Sequence, residues 1–443
     1  MRVIIVGAGE VGSTIAESLS GTHDVVVVDI DADRVETLTY ELDVLAIQGD
    51  GGDINTLREA GIEDADMFIA STDDDETNIV ACGTAAVGGN PFSIARVKRP
   101  QYLHTWEADN RAFGVDFMVC TDLLAAENIV GVIGLPTARD VDSFAEGAVQ
   151  LAELEIPEGS PVAGQTVREA DRFDSLTFVG IIRDGEVVVP DGDTVIEGGD
   201  EVVIVGNPES ARAFSSAIAP QENRPSDIVI VGGGEIGYQT ARLLEERGFS
   251  PRLIEHDGDR ARWLAEKLPD TTVLESDATD QSFLERENVG SADAVIAALE
   301  NDQQNLLATL LAKRLGARRA VAVVDTIAFA ELFEAVGVDV AVSPREATAE
   351  EITRFTRGRH AENVSIVDGD RAEVLEVEID AESVFAGRTI REAAADLPEG
   401  VVVGAITRKG EFIVPRGDTV VEMSDHVVVF VETAVLDQVT ERI

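Results

Sequence analysis

Cysteine, lysine, histidine and aromatic residues are all scarce in this chain, and each shortage removes a class of explanation. Cysteine occurs twice, as Cys82 and Cys120. The two fall in helical or strand-end contexts without metal-ligand spacing, and read as buried, reduced thiols. Aromatics make up only 5% of the residues against 44% hydrophobic residues overall. Cores must therefore be built from Val, Ile, Leu and Ala, as buried parallel strands under covering helices require. Lysine occurs four times, as Lys98, Lys267, Lys313 and Lys409, and all 35 basic residues face 84 acidic ones, for a net charge of −49. Nucleic acid is excluded as a partner, because phosphate binding needs a positive footprint. No apolar run approaches the roughly 20 residues of a spanning helix. The chain enters a strand at Val3 to Val6 without a charged leader and apolar signal core, so the expectation is a soluble, cytoplasmic protein.

The acidic excess is spread along the whole chain and interleaved with periodic apolar segments. It describes a solvated surface, not an acidic tail. Such self-repulsion is best tolerated where salt shortens the Debye length to roughly 3 Å, near 1 M. The composition therefore reads as that of a halophile with a salt-filled cytosol.

At 443 residues, two to four domains of roughly 100–200 residues are expected. An internal repeat sets their order. Val3-Ile-Ile-Val-Gly-Ala-Gly-Glu-Val-Gly12 returns half a chain later as Ile228-Val-Ile-Val-Gly-Gly-Gly-Glu-Ile-Gly237. Pro161-Val-Ala-Gly-Gln-Thr-Val-Arg-Glu-Ala170 matches Val384-Phe-Ala-Gly-Arg-Thr-Ile-Arg-Glu-Ala393, and Val189-Pro-Asp-Gly-Asp-Thr-Val195 matches Val414-Pro-Arg-Gly-Asp-Thr-Val420. The order is N1, C1, N2, C2, with expected bounds 1–121, 140–222, 226–343 and 362–443.

Within N1, strands over 2–6, 24–29, 44–47, 66–70 and 92–97 alternate with helices over 10–20, 31–40, 53–60 and 75–88, the βαβ rhythm of a parallel sheet covered on both faces. The C segments read as small α+β domains, with short strands around one short helix. Hairpin turns are expected at Arg183-Asp-Gly185 and Lys409-Gly410. Periodicity fails at 134–147, 220–226 and 358–371, which read as linkers. Helices over Asp122 to Ile133 and Arg345 to Thr356 are placed to mediate pairing between units.

Glycine fingerprints gain meaning from context. Gly7, Gly9 and Gly12 follow an apolar strand and open a helix whose face carries Val11, Ile15 and Leu19. The first glycine permits the tight turn, the second lets a diphosphate approach the backbone, and the third lets helix pack on strand, with the anion on free N–H groups at the helix N-terminus. Asp29 ends the second strand roughly 20 residues on, where a carboxylate accepts from ribose hydroxyls and repels a 2′-phosphate, so NAD is favoured over NADP. Gly232, Gly234, Gly237 and Glu255 repeat this in N2. Missing are a nucleophile elbow, a P-loop lysine, paired metal ligands and a His/Asp pair in a separate catalytic domain. The expectation is binding without turnover, with no catalytic or metal-ligating residue. A nicotinamide-dependent oxidoreductase is the weaker rival.

Further motifs carry a family likeness. They are Gln48-Gly-Asp-Gly51, Ala70-Ser-Thr-Asp-Asp-Asp-Glu-Thr-Asn78, Ile94-Ala-Arg-Val-Lys-Arg-Pro100, Gly-Val-Asp at 114–116 and 337–339, and Gly-x-Thr-x-x-Glu at 164–169 and 387–392. Together with the tandem order, they make the whole chain resemble the TrkA family, peripheral subunits of Trk potassium transporters built from two RCK/KTN units. The resemblance implies two Rossmann-like parallel-sheet domains alternating with two small α+β domains of the RCK C-terminal type. It implies NAD(H), with ATP or ADP as the other candidates. The implied site comprises Gly7, Ala8, Gly9, Glu10, Val11 and Gly12 for diphosphate, Asp29 for ribose, Asp50, Gly51, Ser71, Thr72 and Asp73 for the adenosine side, and Arg96 for phosphate. The corresponding N2 residues are Gly232, Gly233, Gly234, Glu235, Ile236, Gly237, Glu255, Asp277 and Ala278.

N2 departs from the pattern. Ser276-Asp277-Ala278 replaces Gly-Asp-Gly, Leu299-Glu-Asn301 stands for Ser71-Thr-Asp73, and Val323 stands opposite Arg96. N2 has lost a phosphate charge. The implied partners are a membrane-embedded potassium-translocating subunit and further copies of the chain, as a dimer or tetramer at the inner face of the membrane. The alternative within the same family of modules is a regulator of a potassium channel or an antiporter.

Overall fold

The computed structural model describes the whole chain except residues 109–111, 136, 184, 221–225, 279, 358–362, 368–370, 382 and 441. The centre of the turn expected at Arg183-Asp-Gly185, and parts of all three expected linkers, lie outside the described residues. The chain forms two compact units, one of residues 1–130 and 226–356 and one of 131–225 and 357–443.

In chain order, N1 comprises β1 (Arg2–Val6), α1 (Glu10–Ser20), β2 (Asp24–Asp29), α2 (Ala32–Glu41), β3 (Leu45–Gln48), α3 (Ile54–Glu59), β4 (Met67–Ala70), α4 (Asp75–Gly88), β5 (Phe92–Val97), α5 (Pro100–Ala108), β6 (Phe117–Cys120) and α6 (Thr121–Gly134). C1 has β7 (Ala138–Phe144), β8 (Val149–Glu155), α7 (Val167–Ala170), β9 (Leu176–Arg183), β10 (Glu186–Val188), β11 (Glu201–Gly206) and α8 (Pro208–Ile218). N2 has β12 (Ile228–Val231), α9 (Glu235–Glu246), β13 (Arg252–Glu255), α10 (Gly258–Lys267), β14 (Thr272–Glu275), α11 (Gln281–Arg286), β15 (Ala294–Ala297), α12 (Asp302–Leu315), β16 (Arg319–Val323), α13 (Ala330–Ala335), β17 (Val340–Val342) and α14 (Pro344–Arg357). C2 has β18 (Asn363–Val367), β19 (Ala372–Glu378), α15 (Ile390–Ala394), β20 (Val401–Arg408), β21 (Glu411–Ile413), β22 (His426–Glu432) and α16 (Leu436–Thr440).

N1 is a six-stranded sheet of order β3-β2-β1-β4-β5-β6, parallel throughout, and N2 repeats it as β14-β13-β12-β15-β16-β17. The all-apolar strands are buried on both faces, as parallel strands must be. One face of the N1 sheet packs Ile4, Val26, Phe68 and Cys82, the other Val3, Ile5, Val27 and Ile15. Both cysteines are buried and free, and burial pushes the Cys120 thiol up to about 12. Helices expected to begin at Asp31 and Asp53 begin one residue later, because these carboxylates cap them by accepting backbone N–H bonds. The sixth strand of each sheet was not among the expected elements. The Gly-Val-Asp signature explains its attachment: Asp116 accepts from the Ser93 amide and hydroxyl at 2.9 Å, tying β6 to β5, and Asp339 accepts from the Ala320 amide at 2.6 Å.

N1 and N2 sit in one unit because their terminal helices pack across to each other. Ala349 and Ile352 of α14, which follows the last N2 strand, join the apolar face of the N1 sheet beside Val3, Ile5, Ile15 and Val119. The buried Thr348 and Thr121 hydroxyls meet at 3.1 Å. On α6, burial and then Glu351 of α14 push the Glu127 carboxyl up, with Arg247 just after α9 and Arg242 within it pulling the other way.

In the second unit, C1 and C2 are five-stranded antiparallel sheets of equivalent order, β10-β9-β11-β8-β7 and β21-β20-β22-β19-β18. Their apolar faces meet, with Phe144, Leu151, Val179 and Val205 against Val374, Ala405, Val428 and Phe430. The Gly-x-Thr-x-x-Glu signature is a capping box on each short helix: the Thr166 and Thr389 side chains accept from the Glu169 and Glu392 amides, and those carboxylates accept in return. The Gly-Asp-Thr-Val repeat straps the box down. Gly164 and Val167 donate to the Ile196 and Thr194 carbonyls at 2.7 and 2.8 Å, and Gly387 and Ile390 donate to Val421 and Thr419 at 2.9 and 3.0 Å.

Candidate nucleotide-binding site

In both N domains the glycine turn lies at the carboxyl end of the central strand, between β1 and β4 or β12 and β15, where the direction of strand order reverses. Open α/β sheets bind ligands at that crevice. Gly7 adopts φ +105°, a left-handed value that only glycine takes cheaply, and its amide donates to the Val28 carbonyl at 2.9 Å. A Cβ at Gly12 would lie 1.8 Å from the Gly7 carbonyl oxygen, so the third glycine is where helix meets turn. At Gly9 the nearest atom to an added Cβ is the Arg34 guanidinium at 3.5 Å, and no side chain caps the first turn of α1. The helix N-terminus therefore opens onto the cavity with no side-chain cap among the described residues.

Asp29 is only 8% exposed, and both its oxygens are engaged. One accepts from the Ala8 amide at 2.6 Å and the other from the Asp31 amide at 2.8 Å. Glu255 is held in the same way, accepting from Gly233 and Asp257 at 2.8 Å each. The acid after the second strand thus anchors the glycine turn as well as facing the cavity, a role that spacing in the sequence did not reveal.

Arg96, 3% exposed, reaches the same cavity from β5. Its Nε donates to the Thr121 hydroxyl at 3.1 Å, while Nη1 makes only long bonds, 3.3 Å to Asp73 and 3.4 and 3.5 Å to the Thr72 and Ser71 carbonyls. Nη2 has no hydrogen bond among the described residues. Burial lowers the guanidinium from its ordinary value, Asp73 opposes the fall, and Arg345 adds to it. Against the upward push of burial, Lys98 and Arg96 hold the Asp73 carboxyl below its usual range. The loop after β4 is set by buried Asn78, which accepts from the Thr72 amide at 2.9 Å and donates to the Arg96 carbonyl at 2.8 Å.

These groups surround a cavity of about 330 Å³ lined by Gly7, Gly9, Glu10, Val11, Asp29, Asp50, Gly51, Ser71, Thr72, Asp73 and Arg96. Ala8 and Gly12 do not line it; they hold the turn from behind. The sequence missed Arg34, Thr77 and Arg345 among its walls. Arg34 stands in α2 beside the glycine turn, but Arg345 arrives from N2 on α14, one of the two helices expected to mediate pairing, and the sequence does not indicate which surface that helix meets.

The second cavity, about 840 Å³, is lined by Gly232, Gly233, Gly234, Glu235, Ile236, Glu255, Asp277 and Ala278 and by Arg96, Lys98 and Asp122 of N1. Gly237 is again behind the turn, 2.0 Å being left between an added Cβ and the Gly232 oxygen. Asn305 repeats the Asn78 contacts, accepting from Leu299 at 2.7 Å and donating to the Val323 carbonyl at 2.9 Å. That shared bond places Val323 at the position of Arg96. Arg260 covers the N2 turn, donating to the Gly233 carbonyl at 2.7 Å and stacking 4.2 Å over Trp263. Asp122 is pushed up to about 6 by burial first and then by Glu235, with Lys98 and Arg96 pulling the other way.

The TrkA-N domain model matches residues 3–121 and 228–344, and the TrkA-C domain model matches 151–219 and 374–443. The chain belongs to the TrkA family. Similar members include the Trk system potassium uptake protein TrkA homolog of Archaeoglobus fulgidus, 36% identical over 441 residues with 100% of this chain and 99% of that one covered. The TrkA homolog 1 of Methanosarcina mazei is 35% identical over 438 residues, covering 97% of each chain. TrkA of Vibrio alginolyticus is 36% identical over 440 residues, covering 97% of this chain and 95% of its own. Among solved structures, the GsuK RCK domain superposes with a TM-score of 0.63 at 21% identity over 99% of this chain and 95% of that one. The GsuK channel bound to NAD does so with 0.62 at 22% identity over 99% and 79%. The tandem RCK architecture expected of the family is the fold found.

Proposed function

We propose that this chain is the nucleotide-sensing regulatory subunit of a membrane potassium uptake system. Domains 1–121 and 226–343 are the nucleotide-binding parts in this reading, and 140–222 and 362–443 the small sensing parts. N1 takes NAD(H), in competition with ATP or ADP. The diphosphate lies on Gly7 to Gly12 with Arg96 as its cation, the ribose on Asp29, and the adenosine side on Asp50, Gly51 and Ser71 to Asp73. N2, with Val323 for Arg96, binds more weakly along Gly232 to Gly237, Glu255, Asp277 and Ala278.

The observation that carries this reading is the meeting of a glycine turn, a helix N-terminus, a ribose-type acid and a buried guanidinium with an unused donor in one cavity. Full-length likeness to Trk potassium uptake proteins supplies the physiological context, and the NAD-bound state of the GsuK channel supports the ligand class. Binding changes the mutual angle of N1 and N2, and that change moves a potassium-translocating partner at the inner face of the membrane. A nucleotide can shift this gate only as far as its affinities for the two states differ. The protein acts as a homo-oligomer and regulates without catalysing a reaction; a channel or antiporter partner is the alternative.

Isothermal titration of the full chain in multimolar KCl with NADH, NAD, ATP and ADP tests the proposal. One or two nucleotides should bind per chain, and Gly9→Asp, which puts a carboxylate where the diphosphate lies, should abolish binding in N1 while the protein stays folded. A folded wild-type protein that binds none of the four refutes it.

A further inference from the structure

We infer that Arg345, contributed by N2, reads the phosphate charge of a ligand bound in N1 and by doing so carries the occupancy of that site across the N1–N2 interface. This deepens the nucleotide reading above and rests on it. Arg345 is the second residue of α14, the helix that packs on the N1 sheet. Its Nη1 donates to Glu10 at 2.7 Å and its Nη2 to Asp325 at 2.6 Å, so one guanidinium ties the first turn of α1 in N1 to the loop after β16 in N2. Its Nε makes no hydrogen bond among the described residues. It lines the first cavity together with Arg96.

Two guanidiniums therefore converge on one cavity and repel each other, which is part of what lowers Arg96. Glu10 stands at the helix N-terminus where a diphosphate would lie. A phosphate there is an anion that exchanges for the Glu10 carboxylate on Arg345, relieves the repulsion between the two arginines, and loosens the tie between the domains. The device is one-sided. The position equivalent to Arg345 in N1 is Asp122, the second residue of α6, and it faces Glu235 in the second cavity. A phosphate in N2 meets a carboxylate there in place of a guanidinium.

Titrations of the full chain with ATP, ADP and adenosine, for the wild type, Arg345→Gln, Arg345→Lys and Glu10→Gln, test the inference. Loss of one charge-assisted fork should weaken ATP and ADP about tenfold or more and adenosine less than about twofold in Arg345→Gln. Arg345→Lys should fall between that variant and the wild type, and Glu10→Gln should bind ATP more tightly. Saturating ATP should change amide hydrogen exchange around Asp325 and the start of α14 in the wild type and leave it unchanged in Arg345→Gln. Wild-type ATP affinity in Arg345→Gln, or an equal loss for adenosine and ATP, overturns the inference and leaves the nucleotide reading intact. No binding by the wild type refutes both.

Discussion

Two glycines of the N1 turn, three positions apart, should respond to alanine in opposite ways. At Gly12 an added Cβ lies 1.8 Å from the Gly7 oxygen and 2.9 Å from its carbonyl carbon, where unstrained carbon contacts need about 3.5 Å. The obstructing group is backbone, fixed by the Gly7 amide bond to Val28 and by φ +105°, so it cannot swing aside. Overpacking of this kind costs about 1–3 kcal/mol or more. Alanine regains about 1 kcal/mol of helix propensity inside α1. A contact this short against fixed backbone belongs at the top of that range, so the net loss of about 2 kcal/mol or more corresponds to a fall of several degrees in melting temperature, at about 2–4 °C per kcal/mol for a unit of this size. Gly9, by contrast, has φ −76° and ψ −175°, which any residue adopts, and an open surrounding. Gly9→Ala should melt within about 2 °C of the wild type while nucleotide affinity drops about tenfold, because the methyl group stands where the diphosphate approaches. Far-UV circular dichroism melts and titration calorimetry on the same preparations separate the two. The reasoning is refuted if Gly12→Ala melts with the wild type, or if Gly9→Ala unfolds as early as Gly12→Ala.

Other outcomes follow from charges. In each small domain an arginine grips a nearly inaccessible aspartate through two 2.7 Å bonds, Arg183 on Asp200 and Arg408 on Asp425. Asp200→Ala removes both of these bonds and the one Asp200 accepts from the Glu197 amide, while Arg183 keeps Glu197 at 3.0 Å and the Val195 carbonyl at 2.8 Å; it should destabilise the second unit by about 1–3 kcal/mol, read as a lower denaturation midpoint in guanidinium chloride. Asp122, raised to about 6 through burial and Glu235 with smaller effects of Lys98, Arg96 and Asp75, binds its proton more tightly folded than unfolded. Its contribution is thus present below about pH 4 and lost as pH rises to about 6. Asp122→Asn should flatten that part of the melting-temperature profile and add about 1–2 kcal/mol at pH 7; an unchanged profile would remove Asp122 from the account. With a net charge of −49, the melting temperature should climb steeply as KCl is raised from low ionic strength to about 1 M, where the Debye length is about 3 Å. A protein whose melting is indifferent to salt would contradict the halophile reading.

Much of the architecture was legible because it is local. The alternation of apolar runs with helical periods located the first five strands and first four helices of N1 to within a residue or two, and the repeat transferred that map to N2. The elements not expected are those whose sequence is ambiguous alone: β6 and β17 are short, α5 and α13 fill stretches given no element, α8 follows a strand without a motif of its own, and β7 and β18 are edge strands inside the stretches expected as linkers, 134–147 and 358–371. Spacing drew Gly7 and Asp29 into one expected site and the family resemblance added Ser71 and Arg96; all stand at carboxyl ends of strands whose parallel order brings those ends together. Signatures first noted as family marks acquired physical meaning only in the structure, Gly-x-Thr-x-x-Glu as a capping box and Gly-Val-Asp as the tie that holds the sixth strand.

By itself the sequence determined the tandem order, the covered parallel sheets, the glycine turns and the weaker charge complement of N2, since each depends on residue type and spacing within a few tens of residues. Only the tertiary structure decided that α14 crosses onto N1, that the C1 and C2 sheets bury their faces on each other, that Asp29 holds its own glycine turn, and that Arg345 stands opposite Arg96. Those facts depend on which surfaces meet across hundreds of residues. Local periodicity carries no record of that choice; it is made by the complementarity of buried faces.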